Sequence, residues 1–533
     1  MKQIDVGGIK VSPFEFDSIL EMRIEKKLNE HETLYVCGIV KEDQQLSPVT
    51  DMEAGTRIVC ENGGQAYFKG VLQSVKIKRR DNLHYLEVSA ISNTVLLDTV
   101  KYKRSFQDNS QTYKSIVETV IKDNGASAIF NAPETTVENI ILQYDETDWE
   151  FAKRLASHTR DVLIPVVGDE PSFYFGATDK GGAKLETNNF DISKEFVRIQ
   201  SEGGTQKIEE ILICVVETDE FICELGEGLT LNGTDYFVRK VSIAYVNSVL
   251  TITYTLSDKT AISTHKYYNP AIIGLVLDGT VLEVENDKLK LHLVIDDEQD
   301  VGLAHLFKYA TGYSMESHTG WYVMPEVGDT VQLLFPTEDE KYAYAASSVR
   351  RDDTERTEDH LVKYLRTSFG KEIKFDKNEI LISALDDVTY IRVNEDENKG
   401  IEIITPHPIL VRSDSTMNIE SKDDMTVTTE KNLFIQAKDS IKMVNAGNVM
   451  SFVTDAGISA STDKKLNVSS EDNVSVTGSK EIRASAKENM RFDSGSKLIA
   501  SADASIELAG NTSEMILQGS GIDINAIEIR ESC

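Results

Sequence analysis

The sequence is short of the residues that would support a secreted, membrane-spanning or metal-binding reading. Its five cysteines, Cys37, Cys60, Cys214, Cys223 and Cys533, are odd in number and show no CxxC or other metal-ligand spacing. That pattern fits a reducing compartment better than a disulfide framework. No run of eighteen apolar residues occurs, so no membrane-spanning helix is expected. Met1-Lys2-Gln3-Ile4-Asp5 lacks the apolar stretch of a secretory signal, and the expectation is assembly in the cytoplasm, with any export by another route. Positive charge is scarce too: 56 Lys and Arg face 88 Asp and Glu, a net charge of −32. Such acidity argues against nucleic acid or anionic lipid as a partner. The nine histidines form no HExxH or His/Cys cluster, and His407, between Pro406 and Pro408, reads as part of a rigid turn. No catalytic residue, cofactor site or metal site is assigned, and the chain is not expected to be an enzyme.

Proline stops at Pro408, and beyond it only Phe434, Phe452 and Phe492 are aromatic. In that stretch an apolar pair split by one residue returns every eight positions. Ile401/Ile403, Ile409/Val411, Met417/Ile419, Met425/Val427, Leu433/Ile435 and Ile441/Met443 begin the series. After a one-residue slip at Gly447 and Asn448 it runs from Met450/Phe452 through Leu466/Val468 and Val474/Val476 to Ile506/Leu508. A second slip at Gly510 and Asn511 leads to Met515/Leu517, Ile522/Ile524 and Ile527/Ile529. Residues i and i+2 share a face in a strand but not on a helix, so each unit is one short strand. The residues before the pairs, such as Glu430-Lys431-Asn432 and Glu471-Asp472-Asn473, are turn formers. A fixed period of this kind marks a repeat architecture whose units bury their apolar side chains only by stacking. One chain coiling as a solenoid or three chains supplying one face each would close the layers. The lack of proline and the medium-sized aliphatic contents lean toward the threefold needle, a rod of roughly 80–100 Å at the strand spacing of a sheet.

The rest of the chain is expected to be mainly β. Short alternating strands from Phe14 to about Asp98 read as a small barrel. Thr112 to Ile121 reads as a helix ending at Asn124-Gly125. A second helix begins at Thr147, whose spacing to Glu150 fits a capping box. Strands return at 163–175 and 209–256 as a second barrel, and five strands between Ile272 and Val349 fit an OB-fold.

The run Tyr144-Asp145-Glu146-Thr147-Asp148-Trp149-Glu150-Phe151-Ala152-Lys153-Arg154-Leu155-Ala156 resembles a segment in the hub domain of VgrG proteins and of contractile-phage baseplate hubs. Trp321-Tyr322-Val323-Met324-Pro325-Glu326-Val327-Gly328-Asp329, continuing to Phe335, is similar to the signature of the OB domain of VgrG spikes. Thr367 to Asp376 resembles that family's entry into its β-prism. The chain departs from the family at Leu289-Lys290-Leu291-His292-Leu293, where a basic strand is common. The resemblance implies hub barrel 1 at 1–110, a helical hub segment at 111–162, hub barrel 2 at 163–268, an OB-fold at 269–350, a linker at 351–372 and an intertwined trimeric β-helix or β-prism spike at 373–533. It further implies a homotrimer that joins the inner tube and baseplate proteins to a PAAR-repeat tip protein, carries effector cargo, and is driven through a target envelope when a sheath contracts. The rival readings are a polysaccharide-cleaving solenoid and a glycan-binding tailspike or adhesin.

Overall fold

A computed structural model describes residues 2–4, 6–40, 47–178, 180–200, 206–258, 261, 265–313, 319–350, 359–384, 388–396, 398–446 and 448–508. The pairs beyond Leu508, the second slip, Cys533 and most of the charged segment from Arg351 lie outside them. The chain falls into two compact units, 1–408 and 409–533.

In the first unit, strands from both ends of 9–257 share one twelve-stranded sheet. Ser18–Lys27 pairs with Thr33–Val40 on one side and with Thr234–Val246 on the other, with Ile24 opposite Ile243. The alternation seen in the sequence is the cause: Met22, Ile24, Leu34, Val36, Leu86 and Val88 point inward with Val241, Ile243, Ile252 and Tyr254 into one core. Across this seam the fully buried Lys26 reaches Glu32 at 3.4 Å and Glu224 at 2.9 Å. Burial raises the Glu32 carboxyl to about 7 despite the pull of Lys26.

Between the two sets of strands lie two helices, Tyr113–Lys122 and Asp148–His158. Thr112 caps the first by accepting from the Ser115 amide, and Gly125, at φ +63°, ends it as the Asn-Gly pair predicts. Ile116, Val117, Val120 and Ile121 are buried against Phe151, Leu155 and Phe175.

The segment 275–348 closes into a five-stranded barrel in the order Leu275–Glu285, Lys288–Leu293, Leu306–Ala310, Tyr344–Ser348, Thr330–Phe335. It is the barrel of OB type that the spacing predicts. The divergent strand turns Leu289, Leu291 and Leu293 into the barrel core, and its Lys290 pairs with Glu283 at 2.8 Å.

A five-stranded antiparallel meander follows: Lys363–Arg366, Glu372–Phe375, Glu379–Ser383, Tyr390–Asn394 and Ile401–Ile404. Its register aligns Leu365, Ile373, Ile382, Ile391 and Ile403 in one row and Phe375, Ile380, Val393 and Ile401 in the next. Both rows lie on the same face, because residues two apart share a face. All of them except the half-buried Ile373 are exposed. The opposite face carries ions: Lys374 contacts Asp376 and Glu379, and Arg392 contacts Glu379 and Glu402.

In the second unit, Ser440–Asn445, Asn448–Val453 and Gly457–Ser461 form an antiparallel meander with Ile441 opposite Phe452 and Met443 opposite Met450. The first slip falls at the end of its first strand pair, where Asn445 faces Asn448. Elsewhere the described repeats of this unit, 409–439 and 462–508, form no strand pairing within the chain. Leu433, Ile435, Leu466, Val468, Val474 and Val476 are exposed.

Candidate functional site: the hub helix and its junction with the small barrel

The 144–156 run is an internal fastening. Thr147 has extended backbone and accepts from the Glu150 amide, while the Glu150 carboxylate accepts from the Thr147 amide, which completes the expected capping box. The Thr147 hydroxyl also donates to Asp98. Trp149 lies tilted against His31 at 4.6 Å between centroids and meets Phe173 edge-on. Phe151 stacks on Phe106.

Two charged residues of the helix are buried, and each is fully partnered. Asp148 accepts from Arg104 at 3.1 Å, Asn124 at 2.8 Å and Gln143 at 3.0 Å. Its burial raises the carboxyl even so, against those three donors. Arg154 is forked: Nε and Nη2 donate to Glu146, Nη2 to the Leu142 carbonyl, and Nη1 to Glu340 at 2.9 Å. Burial disfavours its charge, but Glu146 and Glu340 more than offset this and hold the guanidinium above its ordinary value.

Glu340 belongs to the small barrel, so this pair ties hub to barrel. Neighbouring contacts hold the segment that leads into the barrel and the barrel itself. Asn269 Nδ2 donates to the Tyr144 carbonyl, the Tyr267 amide donates to Ser157 Oγ, and the Ser105 amide donates to Asp296 at 2.7 Å. Alternation along Ile140, Ile141 and Leu142 sends Ile141 into the helical core and its two neighbours into the barrel core. His158 is held neutral here: burial, then Arg154 and Lys266, push its pKa down to about 3.

The second signature divides. Met324 packs against the barrel core and Pro325 is buried, while Glu326 and Asp329 exchange hydrogen bonds in a turn. Gly328 takes φ +95° there, a conformation that L side chains rarely adopt. Trp321, Tyr322, Val323 and Val327 point to solvent. Sequence spacing could find the cap but not Glu340, Asp296, Asn269 or Arg104, which carry no local signal. Among the described residues no group of three or more His, Cys, Asp and Glu could hold a metal, and no helix is long and apolar enough to cross a membrane.

Residues 28–159, which contain the whole capped run, match the family described as phage tail baseplate hub (GPD). That match spans 132 of the chain's 533 residues. Residues 396–527, covering the repeats, match a family described as an uncharacterized protein conserved in bacteria (DUF2345). Among solved structures the chain is similar to the E. coli c3393 protein, a type VI secretion component with structural similarity to the T4 bacteriophage tail proteins gp27 and gp5. That match has 12% identity over 64% of this chain and 99% of that one, with a TM-score of 0.45. It is also similar to a chain of the lidded Francisella PdpA–VgrG complex, at 7% identity over 72% and 76% with a TM-score of 0.47. The 43 kDa tail protein of prophage MuSo2 from Shewanella oneidensis matches at 12% identity over 48% and 98%, with a TM-score of 0.39. No curated protein sequence matches it.

Proposed function

We propose that this protein is the homotrimeric puncturing spike and baseplate hub of a contractile injection machine, joining the inner tube to the tip and driven through a target envelope on sheath contraction. The observation that carries the reading is the meander of 363–404, where eight exposed apolar side chains stand in register on one face and ions on the other. A face of that size left in water is an aggregation hazard, and burying each large side chain is worth roughly 1.5–3 kcal/mol. Two further copies of the same chain would cover it. The apolar pairs of the repeats are exposed in the same way, as strands that await neighbouring chains would be.

In this reading the protein is assembled in the cytoplasm and leaves the cell only as part of a particle, with effector cargo where the machine carries one. It performs no hydrolysis of its own. The hub end meets tube and baseplate proteins, and the last repeats seat a PAAR-repeat tip. Deleting residues from Met515 onward should abolish capture of a co-expressed PAAR-repeat protein without dissociating the trimer; undiminished capture would remove the tip from this end. The function itself is tested with particles built on the Val474→Asp chain. They should retain sheath and tube yet fail to breach target cells, and breaching at the wild-type rate would refute the puncturing role.

A further inference from the structure

The exposed half of the second signature has no work to do within a single chain. Trp321 is 70% exposed and Tyr322 72%, and Val323 and Val327 of the same loop are exposed too. They are not loose: the Trp321 amide donates to the Tyr313 carbonyl at 2.9 Å, the Tyr322 hydroxyl donates to the Asn286 carbonyl at 2.8 Å, and Met324 and Pro325 anchor the loop inward. A loop tied in place before contact loses little freedom on binding, and Trp and Tyr dominate the energy of protein interfaces. The loop also borders the meander. Glu326 accepts from the Ser368 amide at 3.2 Å, next to the exposed Phe369 and close in sequence to Leu365, where the meander's apolar rows begin.

We propose that Trp321, Tyr322, Val323 and Val327 form a contact surface for a second copy of this chain, continuing the meander's apolar face up to the small barrel. The inference rests on the homotrimeric reading. The occupant is a like chain because the patch adjoins the face that like chains cover in the reading above, and because its four side chains carry no charge, so that two chains of net charge −32 meet there with less like-charge repulsion.

Trp149 and Trp321 are the two tryptophans of the chain, and Trp149 is buried. Acrylamide quenching is measured on the full chain and on Trp321→Phe, with mass photometry on the same samples. If the surface is a trimer contact, both proteins are trimeric and equally resistant to quenching. A trimeric full chain with a readily quenched component that Trp321→Phe lacks overturns the inference and leaves the trimer standing; the patch then faces solvent or a different partner. A monomeric full chain overturns both. As an independent readout, Val327→Asp should raise the concentration at which the trimer dissociates by about tenfold or more, and an unchanged dissociation curve contradicts the contact.

Discussion

Arg154 and Glu340 stand 186 residues apart in the chain and 2.9 Å apart in space. The pair binds the hub helix to the small barrel, and both partners are almost fully buried.

Breaking it should be costly from one side and less so from both. Arg154→Met leaves Glu146 and Glu340 without their cation, at a cost of about 3–5 kcal/mol. The double variant with Glu340→Gln should lose less than the two single changes combined, since the residues share one network. Denaturant unfolding of the four proteins measures this; additive losses would mean that the contact does not fasten the domains.

The hub seam should respond to pH through Glu32. Its carboxyl is raised in the fold to about 7 from an ordinary 4.5, so the folded hub binds a proton that the unfolded chain releases. This group's stabilisation is full below about 4.5 and is lost as pH rises through about 7. Lys26 is also raised and stays charged across that window. Buried histidines such as His158 titrate with the opposite sign, so the comparison must be made against Glu32→Gln. Between pH 5 and pH 8 wild type should lose on the order of 2 kcal/mol relative to that variant. Parallel stability curves would show that Glu32 is ionised in the fold at neutral pH.

The repeats separate two classes of substitution. Leu433→Asp and Val474→Asp would gather three carboxylates in a closed threefold layer and should abolish the spike while the hub stays folded. Lys431→Ala, on an exposed turn, should cost under about 0.5 kcal/mol. Thermal melts that do not distinguish the classes would mean that the repeat register is wrong.

What could be read in advance follows the range of the interactions. The cap at Thr147 and the Asn-Gly helix end rest on contacts a few residues apart, and the five strands of the small barrel show themselves by alternation within each strand; all three appear where spacing places them. The eight-residue pairs are legible as a period, but the described repeats at 409–439 and 462–508 form no strand pairing within the chain. The seam between Ser18–Lys27 and Thr234–Val246 was not legible, because every alternating strand presents the same pattern and nothing local says which edge it joins. Arg154 was visible as part of a motif, but its partner Glu340 lies in another domain and is one acidic residue among 88. The antiparallel meander at 440–461 is a pairing that the period alone conceals, with Asn445 facing Asn448 beside the slip.

Mass photometry of the purified full chain tests the central claim most directly. Three chains of 59.4 kDa should give one stable species of about 178 kDa, persisting on dilution because a trimer would bury the meander and repeat faces between copies. A stable 59.4 kDa monomer would contradict the account and favour a single-chain solenoid.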